Sequence, residues 1–237
     1  MVIMMFELIY VCPAFCGEIH EAAAHGDLAN VRILLQNNPN LVFSKDDTGS
    51  TPLHLAVMFG HKDVAELLLA NNADVNAKGI NGITPLDCAD HKDMVELLLA
   101  HKADVNARDD GGETALGYAA AEGRTDVAEL LLANKANVYI RDSAGATPLH
   151  VAVAKGHTEI ATLLLANHAD VNSEDKSGAT PLHYAAVYGR LDIAKLLVKN
   201  KALIDAEDNN GATPLHYAVR YGHKDVEEFL RLHFARE

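Results

Sequence analysis

Thirteen histidines and three cysteines are the residues of this 237-residue sequence best equipped for chemistry. An imidazole can carry protons near neutrality, ligate a metal or activate a nucleophile. Four of them, His54, His150, His183 and His216, close the copies of Thr-Pro-Leu-His that begin at Thr51, Thr147, Thr180 and Thr213. His61, His157 and His223 each follow a glycine. A catalytic histidine occurs once, among dissimilar neighbours, so recurrence at a fixed offset points to a repeated structural duty. Asp63, Asp93, Asp126, Glu159, Asp192 and Asp225 recur likewise at one helix-start position, where the helix dipole favours an acid. Cys12, Cys16 and His20 stand four apart and would share a helix face as metal ligands sometimes do. They lack an obvious fourth ligand, and small apolar packing is the preferred reading. No glycine-rich phosphate loop, zinc spacing or nucleophile elbow occurs, so no catalytic residue, metal or cofactor is assigned.

The elements that would carry these residues follow from internal repetition. Thr-Pro-Leu begins at Thr51, Thr84, Thr147, Thr180 and Thr213, with Thr-Ala-Leu at Thr114, giving spacings of 33, 30, 33, 33 and 33 residues. Thr51 is a natural N-cap, and Pro52 takes the first helical position, where its missing N–H costs nothing. Leu53, Ala56 and Val57 form one apolar stripe, and Gly60 ends the helix in a left-handed turn. Val64, Leu67 and Leu68 face a second helix inward, which Asn71 and Asn72 terminate. Two helices of roughly ten residues cannot bury both apolar faces alone, so the units must stack.

Thr-Pro-Leu-His at 51–54, 147–150, 180–183 and 213–216 resembles the ankyrin-repeat signature. The Gly-His turns at Gly60–Asp63, Gly156–Glu159 and Gly222–Asp225 are similar to it too. The resemblance implies an all-α solenoid of helix-turn-helix units joined by β-turn or hairpin-like loops. Its units are 17–49, 50–82, 83–112, 113–145, 146–178, 179–211 and 212–237 of a single domain. It also implies that Thr51, Pro52 and His54, with Thr147, His150, Thr180, His183, Thr213 and His216, are framework, their imidazoles bonding turn groups. Departures stand out. The unit at Thr84 lacks three residues and the Gly turn and carries Asp87 for the motif His; the next has Ala115 and Gly117 for Pro and His. A kink or looser interface is expected near residues 80–120. Asn72, Lys102, Lys135, His168 and Lys201 hold the place after the second helix that the family gives to Gly.

The same resemblance implies a protein partner, held on a concave surface of loop tips and first helices. Carried over by offset from each Thr, the binding positions are Met58, Phe59, Glu122, Lys155, Val187, Tyr188, Arg220 and Tyr221, with Ile80 and Lys176 at the loop rim. The alternative for these side chains is that they cover neighbouring repeats. With 20 basic against 33 acidic residues the net charge is −13, which repels nucleic acid and suits either a basic partner surface or plain solubility. An odd cysteine count argues against a disulfide framework and for a reducing, cytoplasmic setting. Residues 1–16 are apolar but lack a cationic start and fall short of a bilayer span, so they read as an extra capping segment; the alternative is a signal-like leader on a secreted or membrane-attached effector. The function read from the sequence is a monomeric, non-catalytic adaptor, scaffold or inhibitor; an enzyme or metal-binding protein is the remote alternative.

Overall fold

The structure, a computed structural model, describes residues 17–234. The capping segment assigned to 1–16, with Cys12 and Cys16, lies outside them. Fourteen α-helices and no strand occupy the described residues. Residues up to Asp110 form one compact unit, and those from Gly111 a second. The first holds α1 (Glu18–Ala24), α2 (Leu28–Asn37), α3 (Pro52–Met58), α4 (Lys62–Ala70), α5 (Pro85–Cys88) and α6 (Lys92–Ala100). The second holds α7 (Ala115–Glu122), α8 (Thr125–Ala133), α9 (Pro148–Lys155), α10 (Thr158–Ala166), α11 (Pro181–Val187), α12 (Leu191–Lys199), α13 (Pro214–Arg220) and α14 (Lys224–Phe234). In each unit consecutive helices pair, first helices pack on first helices and second on second. This is the stacked-pair architecture the repeat requires.

The cores are thin layers repeated along the stack. Leu53, Ala56, Val57, Val64 and Leu68 are fully buried in the first unit, and Leu149, Ala152, Val153, Ile160 and Leu164 match them in the second. Small residues at Ala56, Ala152 and Ala185 let the first helices approach closely, while leucines of the second helices fill the space behind them. Between pairs the chain runs out to loop tips that bond one another. The amides of Ser143, Lys176 and Asn209 donate to the carbonyls of Gly111, Ala144 and Ser177 at 2.6, 2.9 and 2.9 Å. These contacts are hairpin-like without making a regular strand.

The three-residue deletion has a local result. α5 is four residues long against seven in α3, and Ala89 then turns extended. The boundary between the compact units falls at Asp110/Gly111, inside the stretch flagged by its weakened motifs. After each internal second helix the expected left-handed residue is present, with φ of 65° at Asn72, 68° at Lys102, 69° at Lys135, 67° at His168 and 69° at Lys201. A non-glycine residue there is strained by its Cβ. Replacing His168 by glycine should therefore raise the unfolding free energy by about 0.5–1 kcal/mol, the relieved strain outweighing the added freedom of the unfolded chain. A urea midpoint that stays put or falls would show that the turn carries no such strain.

Candidate functional site

Three of the four motif histidines have both ring nitrogens committed to structure. At His54 the amide and hydroxyl of Thr51 donate to Nδ1 at 3.1 and 2.8 Å, and Nε2–H donates to the carbonyl of Ile83 at 3.1 Å. His150 repeats this with Thr147 and Ala179, and His183 with Thr180 and Ala212. Two donors aimed at Nδ1 leave no room for a proton there, so these bonds select the neutral Nε2–H tautomer. Burial holds all three rings below their ordinary pKa, the carbonyl bond pulling the other way. His216, in the last copy, differs. Thr213 Oγ1 accepts its amide at 3.3 Å, while the exposed ring lies edge-on to Tyr217.

The Gly-His turns form a second set of ties that the motif spacing alone did not reveal. His61 Nε2–H donates to Ala24 O at 3.0 Å, His157 to Ala121 O at 3.2 Å and His223 to Val187 O at 3.0 Å. Arg190 Nη2 does the same to Ala154 O at 3.1 Å. Each bonds a carbonyl at the end of the preceding repeat's first helix, an acceptor the helix itself leaves open. Gly123 shows why glycine precedes the clamp: its φ is 75°, and a Cβ would stand 2.6 Å from the His157 ring. His91, after the deletion, turns instead toward Asp90 at 3.6 Å. On the opposite edge, Asn76 accepts from the Asp104 amide at 2.8 Å, and Asn172 from Leu203 at 2.8 Å. Tyr139, standing where the pattern has Asn, reaches the carbonyl of His168 at 2.9 Å.

The two degenerate motifs are filled in different ways. Asp87 Oδ2 accepts the amide and hydroxyl of Thr84 at 2.7 and 2.8 Å, as an imidazole would, but its buried Oδ1 has no hydrogen-bond partner. Burial, with Asp109 nearby, pushes the Asp87 pKa up to about 6 against the Thr84 bonds. At Gly117 the missing imidazole is replaced by the side chain of Glu113, whose Oε1 would collide with any Cβ there and which accepts the Thr114 amide at 3.3 Å. His20 is buried in α1 and donates from Nε2 to Ser44 O at 3.2 Å. Among the described residues no group of three or more His, Cys, Asp or Glu is placed to hold a metal ion, and no helix is long and apolar enough to cross a membrane.

The residues with surface left over are those at the helix ends. In the second unit Glu122, Lys155, Lys176 and Arg220 are exposed, Val187 is half-buried, and Tyr188 and Tyr221 are 50% and 52% exposed. In the first unit Met58 and Phe59 are half-buried and Ile80 sits exposed on a short 3-10 turn. Two further tyrosines, not singled out from the sequence, underlie the exposed pair. Tyr184 lies 6.3 Å from Tyr188 between ring centres, and Tyr217 stacks under Tyr221 at 6.3 Å and 13°. Their hydroxyls donate to Asp175 Oδ2 at 2.8 Å and Asp208 Oδ2 at 2.6 Å, and their rings meet His150 and His183 edge-on. The Tyr217 bond, with loop amides, holds Asp208 below its ordinary pKa; Asp175 is also lowered, by Ser177 and Tyr184 against its partial burial. The recoverable signal was Asp nine residues before Tyr, twice, with a second Tyr one turn later.

Comparison with known proteins places this geometry. A sequence model described as ankyrin repeats in three copies matches residues 19–109, 73–142, 89–175 and 163–235. The chain is 44% identical over 75 residues to ankyrin repeat domain-containing protein 13C of Homo sapiens, covering 32% of this chain and 13% of that protein. It is 35% identical over 78 residues to protein phosphatase 1 regulatory subunit 27 of Mus musculus, covering 33% of this chain and 50% of that one. A transient receptor potential cation channel subfamily A member 1 homolog of Caenorhabditis elegans is 41% identical over 71 residues, 30% of this chain and 6% of the channel. The match thus spans half or less of each of these relatives.

The buried rings set a pH dependence whose sign can be worked out. A base with a folded pKa below its unfolded value of 6.5 binds fewer protons when folded, so its stabilisation is present above pH 6.5 and is lost as pH falls below it. Asp87 acts oppositely: raised from 3.8 to about 6, it favours folding below pH 3.8 and loses that contribution as pH rises through 6. Urea midpoints should fall on acidification from pH 7 to 5. Asp87→Asn should be the more stable protein at pH 7.5, by on the order of 1 kcal/mol, with the advantage shrinking toward pH 4. An advantage independent of pH would mean that Asp87 is not a buried charge.

Proposed function

The chain belongs to the ankyrin-repeat family, and from that premise we propose that it is a non-catalytic protein-interaction module, a monomeric adaptor, scaffold or inhibitor that binds a partner protein. The carrying observation is the division of labour between positions. Motif histidines, capping threonines and turn asparagines bond the stack internally, whereas the position eight residues after the same threonines varies as Phe59, Glu122, Lys155, Tyr188 and Tyr221 and stands exposed from Glu122 onward. Tyr188 and Tyr221 are the centre of the proposed surface, because large half-exposed aromatics on fixed supports lose little freedom when a partner covers them. Val187, Arg220, Lys155, Lys176 and Glu122 surround them in this reading, and Met58, Phe59 and Ile80 form a separate contact set on the first unit. One relative is by name a regulatory subunit of protein phosphatase 1, which supports a role exercised on another protein. The acidic balance favours a basic partner surface over nucleic acid, and the cysteine usage favours the cytoplasm.

The test is affinity purification with mass spectrometry on the full chain and on Tyr188→Ala/Tyr221→Ala. The partner should be lost from the double variant, each ring contributing about 2 kcal/mol, while the melting temperature stays within a few degrees. A variant that melts early would make these rings framework. One that keeps the partner would move the binding surface elsewhere.

A further inference from the structure

Four successive repeats of the second unit carry Glu122, Lys155, Tyr188 and Tyr221 at the same offset from their capping threonine. Each sits at the C-terminal end of its first helix: Glu122 closes α7, Lys155 closes α9, and Tyr188 and Tyr221 cap α11 and α13. All four are exposed, and these helices pack in series. The row therefore reads anion, cation, aromatic, aromatic, one side chain per repeat. Packed helices lie about 8–10 Å apart, which sets the step between members of the row.

That step selects the backbone able to follow it. An extended strand returns to one face every two residues, at roughly 6.7 Å or 13 Å, and misses the step. A polyproline II helix has three residues per turn and rises about 3.1 Å per residue, so every third side chain faces the same way about 9.3 Å along. An α-helix needs seven residues for a comparable step of about 10.5 Å, and more than twenty to cover four members. Proline suits the aromatic end: its flat apolar ring lies on a tyrosine face, and tyrosine can donate to carbonyls that polyproline II leaves unbonded. Tyr188 and Tyr221 are built for such contact, each resting on a tyrosine held by a carboxylate bond at 2.8 or 2.6 Å.

We propose that this row binds a partner's polyproline II segment, with prolines three residues apart on Tyr188 and Tyr221, an acidic residue three further on at Lys155 and a basic one three beyond that at Glu122. The assignment rests on the protein-binding reading above and specifies the partner's chemistry. Ten-residue peptides test it: lysine first, glutamate fourth, prolines seventh and tenth, the same order reversed, and a scramble of that composition. Each is titrated into the 15N-labelled full chain. One direction should bind saturably and shift the amides around Tyr188 and Tyr221, and the scramble should not. Tyr188→Ala/Tyr221→Ala should weaken it by about 30-fold or more. Lys155→Glu should weaken it by about 3–10-fold and recover when the peptide glutamate becomes lysine. Tyr188→Phe/Tyr221→Phe, which keeps the rings, should retain most of the binding.

The proposal is overturned if neither direction binds, if the scramble or a long helical peptide of matched charge binds as well, or if the tyrosine variants leave affinity unchanged. Its failure is separable from that of the broader reading. If the purified partner still depends on Tyr188 and Tyr221 while no peptide binds, only the polyproline assignment falls. If the partner ignores both tyrosines, the surface itself is wrong.

Discussion

Helices of seven to nine residues have no independent stability in water, because nucleation costs more than so few propagation bonds return. Every other feature of this chain answers that constraint. Leu149, Ile160 and Leu164 are inaccessible only because a neighbouring pair lies against them, and the same holds layer by layer. Apolar contact alone would let such short pairs slide, since one leucine layer resembles the next. The hydrogen bonds that cross from repeat to repeat remove that freedom. Each joins a specific side chain to a specific backbone group, and a slip would strand buried polar groups at a cost larger than the bonds themselves contribute.

Three independent ties serve this purpose, and each uses a backbone carbonyl or amide that the secondary structure leaves open. His54, His150 and His183 bond the residue just before the next capping threonine. His61, His157, Arg190 and His223 bond the frayed end of the previous first helix. Asn76, Tyr139 and Asn172 bond the outer turn. Most of the imidazoles are thus spent as directional donors rather than as acids or bases, and a ring whose two nitrogens are both bonded has none left for substrate. The tie at His91 is gone, and the buried Oδ1 of Asp87 marks a second fault in the same repeat. A carboxylate can copy the Nδ1 half of the imidazole's role but has no N–H for the Nε2 half.

Much of this was legible in the residues. The period, the capping Thr-Pro, the left-handed turn after each second helix and the shortened unit all follow from spacing and from the φ demands of single residues. What spacing could not show was where a side chain reaches across repeats. The clamp by Arg190 replaces a histidine with a longer, differently charged group, and Tyr139 replaces an asparagine, so neither substitution announces an equivalent bond. Glu113 is hidden more deeply: it enters the gap at Gly117 from outside the motif, and nothing in its type predicts that. The tyrosine pairs were half seen. Tyr188 and Tyr221 fall at offsets where exposure is expected, but the support beneath them depends on Asp175 and Asp208, loop acids that also bond turn amides.

The loop acids tie the framework to the surface. Asp175 Oδ1 accepts the amides of Ser177 and Ala179, fixing the loop tip, while Oδ2 accepts Tyr184, fixing the ring under Tyr188. Asp208 does both jobs for the next repeat. A polar network that shapes the turn therefore also fixes Tyr184 and Tyr217, the rings beneath the half-exposed aromatics, with no extra element devoted to it. Surface side chains on a helix of seven residues would ordinarily sample several rotamers and lose that freedom on binding. Here the supporting rings are already ordered, because the bonds that hold the loop extend one step further to Tyr184 and Tyr217. The exposed row can then change its chemistry from Glu122 to Tyr221 along the stack while the scaffold beneath repeats.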